Sequence, residues 1–302
     1  MKVAVSGATG LIGTALCREL AKEGHGILAV TRRTTGLPAP LEAVRWSPET
    51  GVVDGKALEG VDAVVHLSGE SIAKRWSENH KEKVRRSRVD GSRVLVDTLS
   101  KLDRKPSVLV AASAVGYYGN RGDEELDESS PPGKGYLADV CQAWEAETGR
   151  ASILGIRVSH LRMGIVLSTR GGALGTMLLP FKLGAGGPVG SGRQWMSWVH
   201  IDDAVGAIRF ALQNAGVRGP ANVTAPHPER NADFARALGK ALHRPAFFPT
   251  PGFALKLVFG EMAQALLLDG QKVLPRALER AGYRFAHTSL DEALRELVQS
   301  GK

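Results

Sequence analysis

The sequence of 302 residues predicts an α/β fold: a doubly wound parallel sheet with a small, mainly helical C-terminal appendage. Three observations predict it. Strand-like and helix-like segments alternate through the first two thirds of the chain, the first strand breaks at a glycine-spaced turn that opens straight into a helix, and after about Gly216 the strand pattern gives way to helical periodicity.

The first strand is the apolar run from Val3 to Val5, which stops at Gly7-Ala-Thr-Gly10. Leu11, Ile12, Leu16 and Leu20 then fall on one side of a helix. Gly7 lets the chain turn sharply, Gly10 lets backbone N–H groups approach a pyrophosphate, and Gly13 lets helix and strand pack closely. A dinucleotide phosphate would sit on the helix N-terminus, contacted by Gly7, Thr9, Gly10, Leu11, Ile12 and Gly13. Glycines so spaced are a weak signal alone; their place between a strand and a helix gives them weight and makes this an NAD(P)-binding Rossmann fold.

Residues 26–31 read as the second strand, 43–46 as a short third and 62–67 as a fourth. A long helix over 81–99, a strand over 107–112, a helix over 136–147 and a strand over 151–161 continue the alternation through right-handed crossovers. Residues 171–192, rich in glycine, read as a functional loop or lid. Asp202 and Asp203 are expected to cap a helix over 204–212, and Asn231 one that runs to His243 and stops at Pro245. Pro249-Thr-Pro251 reads as a hinge into the apolar segment 253–268, which contains Lys256 and Glu261, is short for a membrane span and reads as a packed helix. Ser289-Leu-Asp-Glu292 is a capping box for the terminal helix. The expected division is a nucleotide-binding domain with its cleft loops over 1–245 and a small helical domain over 246–302.

A hydrophobic content of 43% is ample for a buried core. With only Cys17 and Cys141, a disulfide framework and a cysteine-rich zinc site are excluded. No signal-peptide pattern opens the chain, so a reducing, cytoplasmic setting is expected, with no metal and no membrane association. The net charge of +8 is spread among acids, except in the run from Lys81 to Arg93. No nucleic-acid-binding signature accompanies that run, so an anionic cofactor and substrate explain the excess more economically than nucleic acid does.

Cofactor identity is read at the end of the second strand. NAD-preferring sites place an acid there to bind the ribose, whereas this chain has Thr31-Arg32-Arg33, whose guanidinium groups suit a 2′-phosphate; NADP(H) is therefore expected. His66-Leu67-Ser68-Gly69-Glu70 ends the fourth strand, where Ser68 and Gly69 bring backbone close to a ligand. His66 itself reads as a core histidine. Residues 187–194 resemble a phosphate-binding P-loop superficially, but Arg193-Gln194 replaces the required Lys-Ser/Thr and excludes a nucleoside triphosphatase.

On these residues the chain resembles the short-chain dehydrogenase/reductase superfamily, in the extended branch that includes nucleotide-sugar epimerases. More closely it resembles an atypical subgroup of epimerase-family, nucleoside-diphosphate-sugar-epimerase-like proteins. The matching runs include Gly7-Ala-Thr-Gly-Leu-Ile-Gly13, Leu67-Ser-Gly-Glu70, Ala112-Ser-Ala-Val-Gly-Tyr-Tyr-Gly119, Trp144-Glu145, Arg162-Met-Gly-Ile-Val-Leu-Ser168 and Trp198-Val-His-Ile-Asp-Asp203. Gly270-Gln-Lys-Val-Leu-Pro275 matches a small C-terminal domain of unknown function found in that subgroup. The resemblance implies nucleotide contacts from Thr31, Arg32, Leu67, Ser68, Lys83, Arg88 and Val166, a cleft roofed by the C-terminal part, a small and nucleotide-linked substrate, and a homodimer.

Members of the superfamily use Ser with Tyr-x-x-x-Lys, the lysine lowering the tyrosine pKa so that the phenol exchanges a proton while hydride moves to or from nicotinamide. Ser113 fits the serine position and Tyr136 the tyrosine position, but four residues on stands Val140, then Cys141. Without the cation Tyr136 is a poor base at neutral pH. Tyr117, close to Ser113, is the substitute acid/base candidate. Two functions are open at this point: an NADP(H)-dependent oxidoreductase or epimerase-like enzyme, and an NADPH-binding regulatory or assembly protein without efficient catalysis.

Overall fold

Alternate residues of strand β1 (Lys2–Ser6) feed two different cores, Val3 and Val5 on one face of the sheet and Ala4 on the other. The computed structural model describes residues 1–32, 35, 37, 41–47 and 52–300, with 52–53 in backbone only. After β1 come α1 (Leu11–Lys22), β2 (Gly26–Thr31), β3 (Glu42–Ser47), β4 (Val52–Val53), β5 (Ala63–His66) and α2 (Glu78–Ser100). The chain continues through β6 (Val108–Ala114), β7 (Glu125–Leu126), α3 (Tyr136–Gly149), β8 (Arg157–Met163), β9 (Ile165–Leu167) and α4 (Gly172–Lys182). Then follow β10 (Trp195–Met196), β11 (Trp198–His200), α5 (Ile201–Gln213), β12 (Gly219–Val223), β13 (Glu229–Arg230) and α6 (Asn231–Leu242). The C-terminal part holds α7 (Gly252–Phe259), α8 (Glu261–Ala263), β14 (Lys272–Val273), α9 (Arg276–Arg280) and α10 (Leu290–Ser300).

The main sheet has the order β12-β8-β6-β5-β1-β2-β3-β4; β4 closes its edge antiparallel to β3, and the other neighbours pair in parallel. The chain builds outward from β1 to β3, then returns to lay β5, β6 and β8 on the other side. Between β1 and β5 the winding therefore reverses, which opens a crevice at the strands' carboxyl ends. Leu16 and Leu20 of α1 and Ile208 and Leu212 of α5 cover one face. Leu95, Val96 and Leu99 of α2 cover the other, with α3 packed on α2. A third core, centred on Trp198, Phe234 and Leu294, joins α4, α6 and α10.

Several expectations are corrected. The 151–161 strand begins only at Arg157: a 3-10 turn over Arg150–Leu154 precedes it, and Gly155, at φ 81°, separates the two. The expected lid over 171–192 contains α4, because Leu174, Met177, Leu178 and Phe181 recur at helical spacing and pack into the third core. The segment 253–268 is broken at Gly260, φ 62°, and α7 has no buried residue. Asn231 does not cap α6; its side chain accepts from the Val189 amide at 2.7 Å and fixes the loop. The α5 cap is His200, whose Nδ1 accepts from the Asp202 amide at 3.1 Å.

Asp203 instead fastens the C-terminal part to the sheet. Its carboxylate, 2% exposed, accepts from the amides of Ala286 at 2.8 Å and His287 at 2.9 Å. His287 Nδ1 lies 3.1 Å from the same carboxylate, and its ring stacks on His200 at 3.7 Å. A second fastening is Glu128, which accepts from the amides of Asn222 at 2.9 Å and Ala277 at 3.0 Å and whose pKa burial raises. The third is Ser197, whose hydroxyl donates to the Gln271 carbonyl at 2.6 Å and accepts from the Val273 amide at 2.9 Å.

His66 is a satisfied core residue, with Nδ1 2.7 Å from Ser6 Oγ and Nε2 3.1 Å from Ser92 Oγ. Burial, assisted by the Arg88 charge, pushes its pKa down to about 4.

Two outcomes follow from these contacts. Asp203→Ala removes a buried carboxylate that accepts from two backbone amides and lowers unfolding free energy by about 3 kcal/mol in urea titrations, whereas exposed Asp202→Ala lowers it by less than about 1 kcal/mol. Because an unfolded histidine takes up its proton near pH 6.5 and folded His66 resists it, this group's stability is complete above that pH and is lost on acidification to about pH 4. The loss amounts to about 3 kcal/mol, and the corresponding part of the pH slope disappears in His66→Gln.

Candidate functional site

At the carboxyl end of β1 the backbone is packed too closely for side chains. A Cβ on Gly7, at φ 73°, would lie 2.9 Å from the Leu67 carbonyl carbon, and one on Gly13 would lie 2.1 Å from Gly7 O. Only glycines allow the β1 turn, the α1 N-terminus and the β5 loop to meet here. Gly10 caps α1 without any side-chain hydrogen bond, so the helix presents its amide end to the crevice beside exposed Thr9 and half-buried Leu11 and Ile12. Gly172 covers the same corner: a Cβ there would stand 3.2 Å from Leu11 Cδ2 and 3.6 Å from the Val166 carbonyl.

Thr31 ends β2 and exposed Arg32 directly follows it, while Arg33 lies outside the described residues. Arg32 is close enough for its charge to help Lys74 and His80 lower the Glu70 pKa, the Lys74 hydrogen bond contributing most. Glu70 in turn anchors the Leu67-Ser68-Gly69 loop to α2. Its amide donates to Ser87 Oγ at 2.9 Å, and its carbonyl accepts from Arg88 at 3.0 Å. The Arg88 guanidinium also fills the space against Gly69 and lies 5.2 Å from the Trp144 ring. Burial lowers the Arg88 pKa. The Trp144 indole N–H is buried with no hydrogen-bond partner among the described residues. Lys83 stands exposed one turn before Ser87.

Ser113 lies near the end of β6 and donates to Glu145 Oε1 at 2.6 Å. Glu145, on α3, holds Arg162 of β8 in a bidentate pair, both bonds at 2.8 Å. Burial works against the Arg162 charge, but the Glu145 carboxylate outweighs it and raises the arginine pKa. Arg162 also donates to Tyr118 Oη at 2.9 Å, and that hydroxyl donates to Asn222 Oδ1 at 2.8 Å. Burial pushes the Tyr118 pKa up to about 12. Sequence reasoning missed Glu145, Arg162, Tyr118 and Asn222 as a unit. The signal was available in an arginine set inside an otherwise core-forming strand, Val158-Ser-His-Leu-Arg-Met163, since a buried charge requires a partner.

Tyr117 and Tyr136 differ in how they are held. The Tyr136 hydroxyl donates to the Lys81 carbonyl at 2.6 Å, its ring meets Trp76 edge-on at 5.1 Å, and burial raises its pKa despite the nearby Arg88 and Lys81 charges. The Tyr117 ring lies on the Arg162 guanidinium, 3.4 Å from centroid to Cζ. Its hydroxyl has no hydrogen-bond partner among the described residues. Cys141, where the sequence departs from Tyr-x-x-x-Lys, is a buried thiol whose pKa burial pushes up to about 11.

The crevice suits a dinucleotide. An uncapped helix N-terminus faces it, glycines exclude side chains from the turn, and exposed Arg32 directly follows the carboxyl end of β2. The model of the NAD dependent epimerase/dehydratase family matches residues 3–223, and that of a domain of unknown function (DUF1731) matches residues 250–297. An epimerase family protein of Mycobacterium tuberculosis is 44% identical over 293 residues, covering 97% of this chain and 96% of that protein. The crystal structure of the human epimerase family protein SDR39U1, determined with NADPH, superposes with a TM-score of 0.89 at 37% identity, covering 99% of each chain. The UDP-glucuronic acid 4-epimerase of Bacillus cereus, at 18% identity and a TM-score of 0.80 over 99% of each chain, shares the fold. The chain belongs to the NAD dependent epimerase/dehydratase family, in the group that carries the C-terminal domain of unknown function.

Proposed function

We propose that this protein is an NADP(H)-dependent oxidoreductase or epimerase-like enzyme acting on a small polar substrate of the sugar-nucleotide kind. The observation that carries the reading is the placement of Ser113, backed by Glu145 and Arg162, on a strand next to the nucleotide crevice. NADPH in the human relative's crystal structure supports the choice of cofactor. In this reading Gly7, Gly10 and Gly13 admit the pyrophosphate, Arg32 pairs with the 2′-phosphate, and Leu67, Ser68 and Val166 line the crevice. Bound nicotinamide supplies the hydride. Ser113, whose hydroxyl donates its hydrogen bond to Glu145, orients the substrate by accepting one from a substrate hydroxyl. Tyr117 exchanges the substrate proton: its hydroxyl has no hydrogen-bond partner among the described residues, and Arg162, the register partner of Ser113, supplies a cation against its ring.

Tyr136 takes a positioning role here, since its hydroxyl is spent on the Lys81 carbonyl. That same observation favours the second reading, an NADPH-binding regulatory or assembly protein in which the usual tyrosine has been retired from chemistry.

Calorimetric titration tests the cofactor. Arg32→Ala weakens NADPH binding by about 1–3 kcal/mol and leaves NADH binding nearly unchanged; equal losses for both nucleotides would remove the 2′-phosphate assignment. The reaction is tested by cofactor oxidation and sugar-nucleotide conversion across a panel of carbonyls and sugar nucleotides. On whichever substrate turns over, Tyr117→Phe and Ser113→Ala each lower kcat by about 100-fold or more while NADPH affinity holds. Full turnover by Tyr117→Phe eliminates it as acid/base. Tight NADPH binding with no turnover across the panel establishes the second reading.

A further inference from the structure

Among the described residues, every large apolar side chain that is well exposed, apart from Met1 and Ile153, lies in two segments, 179–185 and 244–258. Leu179, Leu183, Phe247, Phe248, Phe253 and Leu257 stand between 53% and 78% exposed. The segments adjoin. Arg244 Nε donates to the Lys182 carbonyl at 3.0 Å, and the Thr250 amide donates to the Pro188 carbonyl at 2.9 Å. Gly187 meets the Phe248 backbone so closely that a Cβ would fall 2.1 Å from its carbonyl oxygen. The result is an apolar shelf ending in α7, a helix with no fully buried residue, whose Phe253, Leu257 and Val258 stand exposed.

The charges on this shelf have one sign. Lys182, Arg244 and Lys256 are the only charged residues in the two segments. Beside it opens a cavity of about 1100 Å³ lined by Arg170, Lys182, Lys240, His243, Arg244 and Arg295, with Asp291, paired to Lys240 at 3.4 Å, as its one acid. Lys182 and Arg244 belong to both surfaces.

We propose that the protein docks on anionic lipid bilayers through this shelf, Phe and Leu side chains entering the headgroup boundary and the basic cavity receiving lipid phosphates. Apolar side chains flanked by Lys and Arg, without acids, are what an interfacial helix presents to such a surface. Thr250 is the one uncharged polar side chain in the two segments. A protein partner would ask for about one hydrogen bond per 100–200 Å², which the shelf is poorly equipped to give. A second copy meeting the same face about a two-fold axis would set Lys182, Arg244 and Lys256 against their own kind. No helix among the described residues is long and apolar enough to cross a membrane; docking in the surface plane needs none. The inference does not rest on the nucleotide site.

The test uses the full chain in flotation with vesicles of phosphatidylcholine alone or with about one third phosphatidylglycerol, enough anionic lipid to give a marked surface potential. The expected result is binding to the anionic vesicles only, weakened by salt. Phe253→Ser with Leu257→Ser, and separately Lys182→Glu with Arg244→Glu, each reduce it about tenfold or more while NADPH binding persists as the measure of folding. The proposal falls if the unaltered protein ignores anionic vesicles, if binding survives both double substitutions, or if soluble glycerol phosphate displaces it fully. It also falls if sedimentation shows a dimer that the Phe253/Leu257 substitutions dissolve while vesicles remain unbound.

Discussion

Arg162 carries its charge into the main sheet, where it is 3% exposed, and the site is organised around neutralising it. Such a charge is tolerable only with a partner in fixed geometry, and removing that partner costs about 3–5 kcal/mol. Glu145 meets the requirement, which fixes the rotation of α3 against β8. The remaining Glu145 capacity is taken by Ser113, the register partner of Arg162 across β6 and β8. On the far side Tyr118 accepts from the arginine and its hydroxyl in turn donates to Asn222. One buried cation thus sets the positions of a serine, two tyrosines and a helix at the carboxyl edge of the sheet.

The glycine corner works by the opposite means, an absence of side chains. Gly7 and Gly13 allow three backbone segments to meet, and the α1 dipole end is left facing the crevice. The two features are neighbours in the sheet: an uncapped helix end at β1 and a buried polar cluster two strands away at β6.

How much of this the sequence revealed depended on the range of the interaction. The glycine turn, the Rossmann alternation and the strand positions are local patterns, and the first four parallel strands stand where periodicity put them. Glu145 and Arg162 are 17 residues apart on different elements, so no spacing rule joins them. Asp203 shows the same limit. An acid at a helix start reads as a cap, yet its carboxylate is drawn to amides more than eighty residues later in the chain. Residues 171–192 misled because glycine content outweighed a helical apolar period that only the third core makes evident. The segment 253–268 misled because apolar composition was equated with burial. Sequence reports what a side chain prefers, and α7 is held where that preference goes unmet within its own chain.

Asp203, Glu128 and Ser197 fix the C-terminal part to the sheet at three separated points, each through hydrogen bonds to backbone amides or carbonyls. Rigid-body hinging of that part would break all three together. Movement in that part is therefore left to single elements such as α7, which has no fully buried residue, ends at a glycine and touches the loop after β5 through the Arg75 bond to the Val258 carbonyl, at 3.3 Å. In hydrogen exchange, amides of α7 should open independently of those in α9 and α10, so that one short helix can loosen while the three fastenings stay closed.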